Sequence, residues 1–96
     1  MDTRIIITRV QRQKRKYITV IAGLDTVPEL KIKDAAKVLG KKFAAGASVS
    51  EAANGAKEVV IQGDMYLQVP DVLIAEFKVS PSVIFFLEDG AVRAFA

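Results

Sequence analysis

Arg9, Arg12, Lys14, Arg15 and Lys16 crowd the segment around "VQRQKRKYITV", Val10 to Val20. An Arg guanidinium offers a planar fork to phosphate, and a Lys ammonium offers a point charge. Between Arg4 and Lys16 there are six basic residues and no acid, while the remaining residues hold eight basic and eleven acidic ones. The net charge of +3 is therefore a local excess on a mildly acidic background. Local excess points to a polyanion partner more than to solubility. If four of these cations each meet a phosphate, affinity falls roughly fiftyfold to a hundredfold between ~50 and ~200 mM salt. The plainer alternative is a basic loop that solvates a sheet edge and deters strand pairing. Charge this dense, with no acid interleaved, favours nucleic acid.

Much other chemistry is excluded. The chain has no cysteine and no histidine. That removes disulfides, thiolate nucleophiles, the commonest general base and the usual metal ligands. "GASVSEAANGAK" carries glycines but lacks the spacing and terminal Lys-Ser/Thr of a phosphate-cradling loop. Asp64, Glu88 and Asp89 form no evident metal or acid pair. The expectation is a non-enzymatic chain with no catalytic residue, cofactor or metal. Tyr17 and Tyr66 give little support for base stacking, so phosphate and shape recognition of structured RNA fits better than single-strand reading. Lys37, Lys41 and Lys42 extend the basic surface if their helix faces the same way; otherwise they mark a solvated helix face.

The elements that must position these residues are legible from pattern. At 96 residues, 51% hydrophobic and 26% charged, the chain has the size and composition of one soluble domain. Residues 4–9 and 16–22 are rich in Ile, Val, Thr and Tyr and read as a β-hairpin. Ile32, Ala35, Ala36, Leu39 and Phe43 mark one face of a helix over about 31–44, with Gly46 expected just past its end at positive φ. Residues 47–50 and 58–63 read as strands joined through Asn54-Gly55. Val69, Val72, Leu73 and Phe77 mark a second helix that starts near Pro70, with Asp64 or a residue near Val69 as its cap. Residues 83–89 read as the last strand, stopped by Glu88-Asp89-Gly90. The order β-β-α-β-β-α-β predicts an α+β two-layer sandwich, one sheet with two helices packed on one face. The domain core is expected over about 4–90, with 91–96 as a flexible tail.

The first hairpin poses a question. Gln11 to Lys16 has no Gly, Pro, Asn or Asp, the residues that make turns cheap. The tip is therefore expected to be mobile until RNA orders it.

"KRKYITVIAGLD", "AAKVLGKKFAAGASVS" and "EVVIQGD", taken with the ending "VIFFLEDG", resemble the SUI-type domain of the translation initiation factor 1 family. Within the family they are most similar to the C-terminal domain of the density-regulated protein subgroup. The resemblance covers roughly Ile5 to Gly90 and implies the same sheet with two helices. It implies binding to small ribosomal subunit RNA near the P site and close to tRNA. The family's basic loop falls on Arg12, Lys14, Arg15 and Lys16, and its RNA-facing helix on Lys37, Lys41 and Lys42. The implied roles are non-standard initiation, re-initiation and release of deacylated tRNA during recycling. A PUA-domain partner protein is also implied, gripped through an N-terminal region not among these residues. A monomeric, cytoplasmic factor with no membrane contact is expected. The rival reading is a protein–protein adaptor without direct RNA contact.

Overall fold

The computed structural model describes residues 3–96. Its elements run β1 (Ile5–Gln13), β2 (Lys16–Ala22), α1 (Ile32–Phe43), β3 (Ala47–Glu51), β4 (Lys57–Gln62), α2 (Val69–Phe77), β5 (Ile84–Glu88) and β6 (Ala91–Ala94), with short 3-10 turns at Leu24–Thr26 and Pro81–Val83. The strands form one sheet in the order β3-β4-β2-β1-β5-β6. β1 and β5 are parallel and the other neighbours antiparallel. This is the α+β architecture predicted from the pattern, with one strand more.

Strand alternation sorts the side chains onto two faces. Ile5 and Ile7 on β1, Ile21 on β2, Val59 and Ile61 on β4 and Ile84 on β5 are all buried. They share one cluster with Ala35, Ala36 and Leu39 of α1 and Val69 and Leu73 of α2. Both helices therefore cover the same face. Burying a side chain such as Leu39 or Leu73 stabilises the domain by roughly 1.5–3 kcal/mol each. The opposite face carries Ile6, Val10, Val20, Val60, Phe85 and Val92, none fully buried. None of the described helices is long and apolar enough to cross a membrane.

The sheet has a functional end. β1 runs out to its turn with β2. β4 lies antiparallel to β2, with Gln62 opposite Ile18, and so finishes at the same end. β3 starts there, with Ala47 opposite Ile61. The C-terminus of α1, just before β3, is thereby brought to the end from which the hairpin projects. β5 runs parallel to β1 and also finishes there, at Glu88-Asp89.

The structure corrects three expectations. Residues 91–96 were expected as a tail, but Ala91–Ala94 forms β6 against β5. Asp89 and Gly90 do stop β5, at Glu88, and with φ of 50° and 77° between the paired Glu88 and Ala91 they form the two-residue hairpin turn into β6. β1 continues four residues past Arg9, because Val10, Gln11 and Gln13 still pair with β2 although their own side chains are exposed. The left-handed residue after α1 is Ala44, φ 49°, not Gly46, and its N–H bonds to the carbonyls of Gly40 and Lys41.

Candidate nucleic-acid interface

Beyond the Val10–Ile18 pair, where Ile18 still pairs with Gln62 of β4, β1 and β2 continue as a two-stranded arm through Gln11–Tyr17 and Gln13–Lys16. Lys14 and Arg15 form the turn. Neither has the positive φ that the commonest two-residue hairpin turns require. The register instead shifts between Gln11 and Gln13, so that Arg12 is an extra residue, and a bulge of this kind adds the twist the turn lacks. The Gln11 side-chain amide donates to the Lys14 carbonyl at 3.0 Å and closes the tip. The turn thus has local chemistry that a search for Gly, Pro, Asn and Asp misses. Arg12, Lys14, Arg15 and Lys16 are all exposed. None of them joins an ion pair among the described residues.

Arg9 is placed differently. Its Nη1 donates to Asp64 Oδ2 at 3.1 Å, and its guanidinium lies 5.3 Å from the Tyr17 ring centroid and 5.7 Å from that of Tyr66. The structure brings Arg9 to the root of the arm, apart from the four tip cations. Behind it stands Thr19, the one buried polar residue among those described. Its hydroxyl donates to the Gly63 carbonyl at 2.8 Å and accepts from the Met65 N–H at 2.9 Å. These bonds fix the 63–66 turn that carries Asp64 and Tyr66. Of the two cap positions expected for α2, Asp64 lies instead in this turn, and Gln68, next to Val69, holds the N-cap position without a side-chain hydrogen bond. Thr19→Val, which keeps the shape and removes both bonds, is expected to cost about 1–3 kcal/mol. Urea unfolding checks this, and NMR should show the amides of Asp64 and Tyr66 losing their dispersion.

Tyr66 packs at 4.7 Å on Phe86, and its hydroxyl donates to the Leu87 carbonyl at 3.1 Å. Burial pushes its phenol above the usual 10.0, and the Glu88 charge adds to the push. The phenol thus stays protonated and keeps donating at neutral pH. Below pH 10.0 this preference contributes fully to stability, and the contribution is lost as pH rises beyond it.

Lys37 and Lys41 are exposed at i and i+4 of α1 and join no ion pair among the described residues. Lys42 turns toward α2 and reaches Glu76 Oε1 at 3.4 Å. That pair is half exposed, so it contributes only ~0–1 kcal/mol and is easily surrendered. Lys41 and Lys42, in the last turn of α1, lie at the hairpin end of the sheet. Glu88 and Asp89 carry the opposite charge at the same end, on the β5 side. Among the described residues no group of three or more acids is placed to hold a metal ion.

A family model described as "Translation initiation factor SUI1" matches residues 1–80. The chain belongs to the SUI1 family. Its relatives include translation machinery-associated protein 22 of Aspergillus oryzae, 44% identical over 89 residues, covering 91% of this chain and 45% of that protein. The protein of the same name from Schizosaccharomyces pombe is 40% identical over 81 residues, 84% of this chain and 42% of that one. That from Pyricularia oryzae is 39% identical over 77 residues, 80% and 38% respectively. The chain thus spans less than half the length of these curated relatives. Among solved structures, the C-terminal domain of human eIF2D aligns with a TM-score of 0.74 at 28% identity, covering 84% of this chain and 41% of that chain. The SUI1 membership ties this chain to a translation-related function.

Proposed function

We propose that this SUI1 domain is a non-enzymatic translation factor module that docks on small ribosomal subunit RNA near the P site through its β1–β2 arm. The observation that carries the reading is the tip itself. Four cations, Arg12, Lys14, Arg15 and Lys16, stand exposed and free of ion pairs among the described residues, on an arm that outreaches the core. An adaptor for a protein partner has no need of a charge cluster without acids. Lys37, Lys41 and a released Lys42 extend the footprint along α1. Arg9 supports the arm from its root more than it extends the tip.

The likeness to the density-regulated protein subgroup supports the finer roles: non-standard initiation, re-initiation and release of deacylated tRNA in the cytoplasm. It also supports contact with P-site tRNA and cooperation with a PUA-domain partner held by a region outside this domain. The test is co-sedimentation of the domain with isolated small subunits as salt is raised. Four phosphate contacts predict a log–log slope of about −3 and a loss of about sixtyfold between ~50 and ~200 mM. A flat dependence overturns the reading. It favours an adaptor that docks through the apolar face around Ile6, Val20, Val60 and Phe85, which no helix covers.

A further inference from the structure

A crevice of about 390 Å³ opens at the root of the arm, lined by Arg9, Tyr66, Leu67, Leu87, Glu88 and Asp89. That volume sits at the lower end of the roughly 300–1,000 Å³ of small-ligand sites. It has room for one nucleoside-sized group and none for a duplex. Leu67 is 73% exposed, a costly place for a large apolar side chain, and with Tyr66 it makes an apolar wall. Arg9 is held by Asp64 and by two tyrosine rings, so its fork is positioned in advance. Only one of its hydrogen bonds is taken up among the described side chains. Glu88 and Asp89 bring acceptors. Solvation alone explains two acids at a turn, but not a bare leucine beside a fixed guanidinium.

We propose that this crevice takes a single unstacked guanine base from the RNA held by the arm; the inference rests on the RNA-binding reading above. Guanine presents O6 and N7 as acceptors on one edge, and an N2 amino donor beside its N1–H. The Arg9 guanidinium suits the first pair and a carboxylate of Glu88 or Asp89 the second. Adenine would set its N1 lone pair against the carboxylate. Uracil and cytosine lack the adjacent donors. Apolar contact with Leu67 and Tyr66 replaces the stacking that the base leaves behind. The acids repel phosphate, so the base enters and the backbone stays outside. Lys14 lies five residues beyond Arg9, roughly 17 Å along the arm at ~3.4 Å per residue. Phosphates at the tip and a base in the crevice thus belong to nucleotides a few steps apart on one strand.

The experiment has two arms. In the first, amide NMR follows the chain as 5′-GMP or 5′-AMP is added. Saturable shifts at Leu67 and at Leu87 to Asp89 are expected with GMP, and about tenfold weaker binding with AMP. In the second, fluorescence anisotropy compares a uridine oligonucleotide with one that carries a single central guanine. Glu88→Gln combined with Asp89→Asn is expected to erase the guanine preference and keep the salt-dependent affinity. Lys14→Glu with Arg15→Glu is expected to weaken both oligonucleotides alike and keep the GMP shifts. If that double change leaves oligonucleotide affinity intact, the arm reading fails while the GMP titration still judges the crevice. Equal response to GMP and AMP, or shifts confined to other residues, overturns the guanine site.

Discussion

Lys14→Glu combined with Arg15→Glu is expected to abolish binding of this SUI1 domain to isolated small ribosomal subunits. The two substitutions change the tip by four charge units and place carboxylates where the arm meets RNA. Loss of two phosphate contacts alone flattens the salt slope by about 1.4–1.8. Repulsion between the new carboxylates and the phosphates adds to that, and the expected loss exceeds a hundredfold at ~100 mM salt, where the Debye length is about 10 Å. The fold should not notice. Both side chains are exposed, and neither Lys14 nor Arg15 makes a side-chain hydrogen bond among the described residues. The one bond at the tip uses the Lys14 carbonyl, which survives the change. Exposed substitutions of this sort usually shift stability by no more than ~0.5 kcal/mol. Co-sedimentation and a thermal melt of the same preparation settle both halves. Subunit binding that persists in a well-folded double variant would sink the docking model for this arm.

Why the tip was legible and its surroundings were not follows from what each depends on. The charge of Arg12, Lys14, Arg15 and Lys16 is a property of composition, and a hairpin between two β-branched runs must expose its connection. The helices were legible because Ile32 to Phe43 and Val69 to Phe77 repeat their apolar residues at helical spacing. β6 is only half announced by local pattern. Asp89-Gly90 is among the strongest hairpin turns a sequence can offer, but the four residues after it, Ala91 to Ala94, are all exposed and carry no alternation toward a core. The far half of β1 was missed for a related reason. Gln11 and Gln13 pair with Tyr17 and Lys16 through backbone bonds that leave no mark on side-chain hydrophobicity.

Arg9 shows the harder limit. In sequence it is one more cation of the basic run. In space Asp64, 55 positions away, takes its charge, and Tyr66 shares its guanidinium with Tyr17. Only the pairing of β2 with β4 brings those residues to the root of the arm, and no local pattern reports it. Thr19 is similar. Its position in "YITVIA" suggests a strand residue facing either way, and its burial shows only once Gly63 and Met65 arrive to bond it.

The base of the arm depends on a residue at the other end of the sheet, and this gives the second large effect. Gly23→Ala is expected to cost about 3–4 kcal/mol or more, near the top of what single substitutions do. Gly23 follows β2 with φ 92°, a conformation in which a Cβ is already unfavourable by ~1–2 kcal/mol. A Cβ there would also overlap the Arg4 carbonyl oxygen and come within 3.2 Å of the Ile5 Cα. Both are backbone atoms, so no side chain can swing aside. Ile5 is itself fully buried and paired with Ile84 of β5, so β1 cannot retreat without breaking that pair. Gly55 supplies the control. Its φ is 86°, much like that of Gly23, but a Cβ there meets nothing within 4 Å. Gly55→Ala should therefore carry only the conformational part, about 1 kcal/mol. For a domain of this size each kcal/mol moves Tm by roughly 4–8 °C, so the two variants should melt at least ~10 °C apart. Equal melting temperatures would mean that backbone conformation, and not the close approach to β1, sets the cost at Gly23. A large gap would show that the start of β1 is clamped against the end of β2. The tip cations would then project from a strand held at its base, and weakened subunit binding by Gly23→Ala should recover wherever the protein is cooled enough to refold.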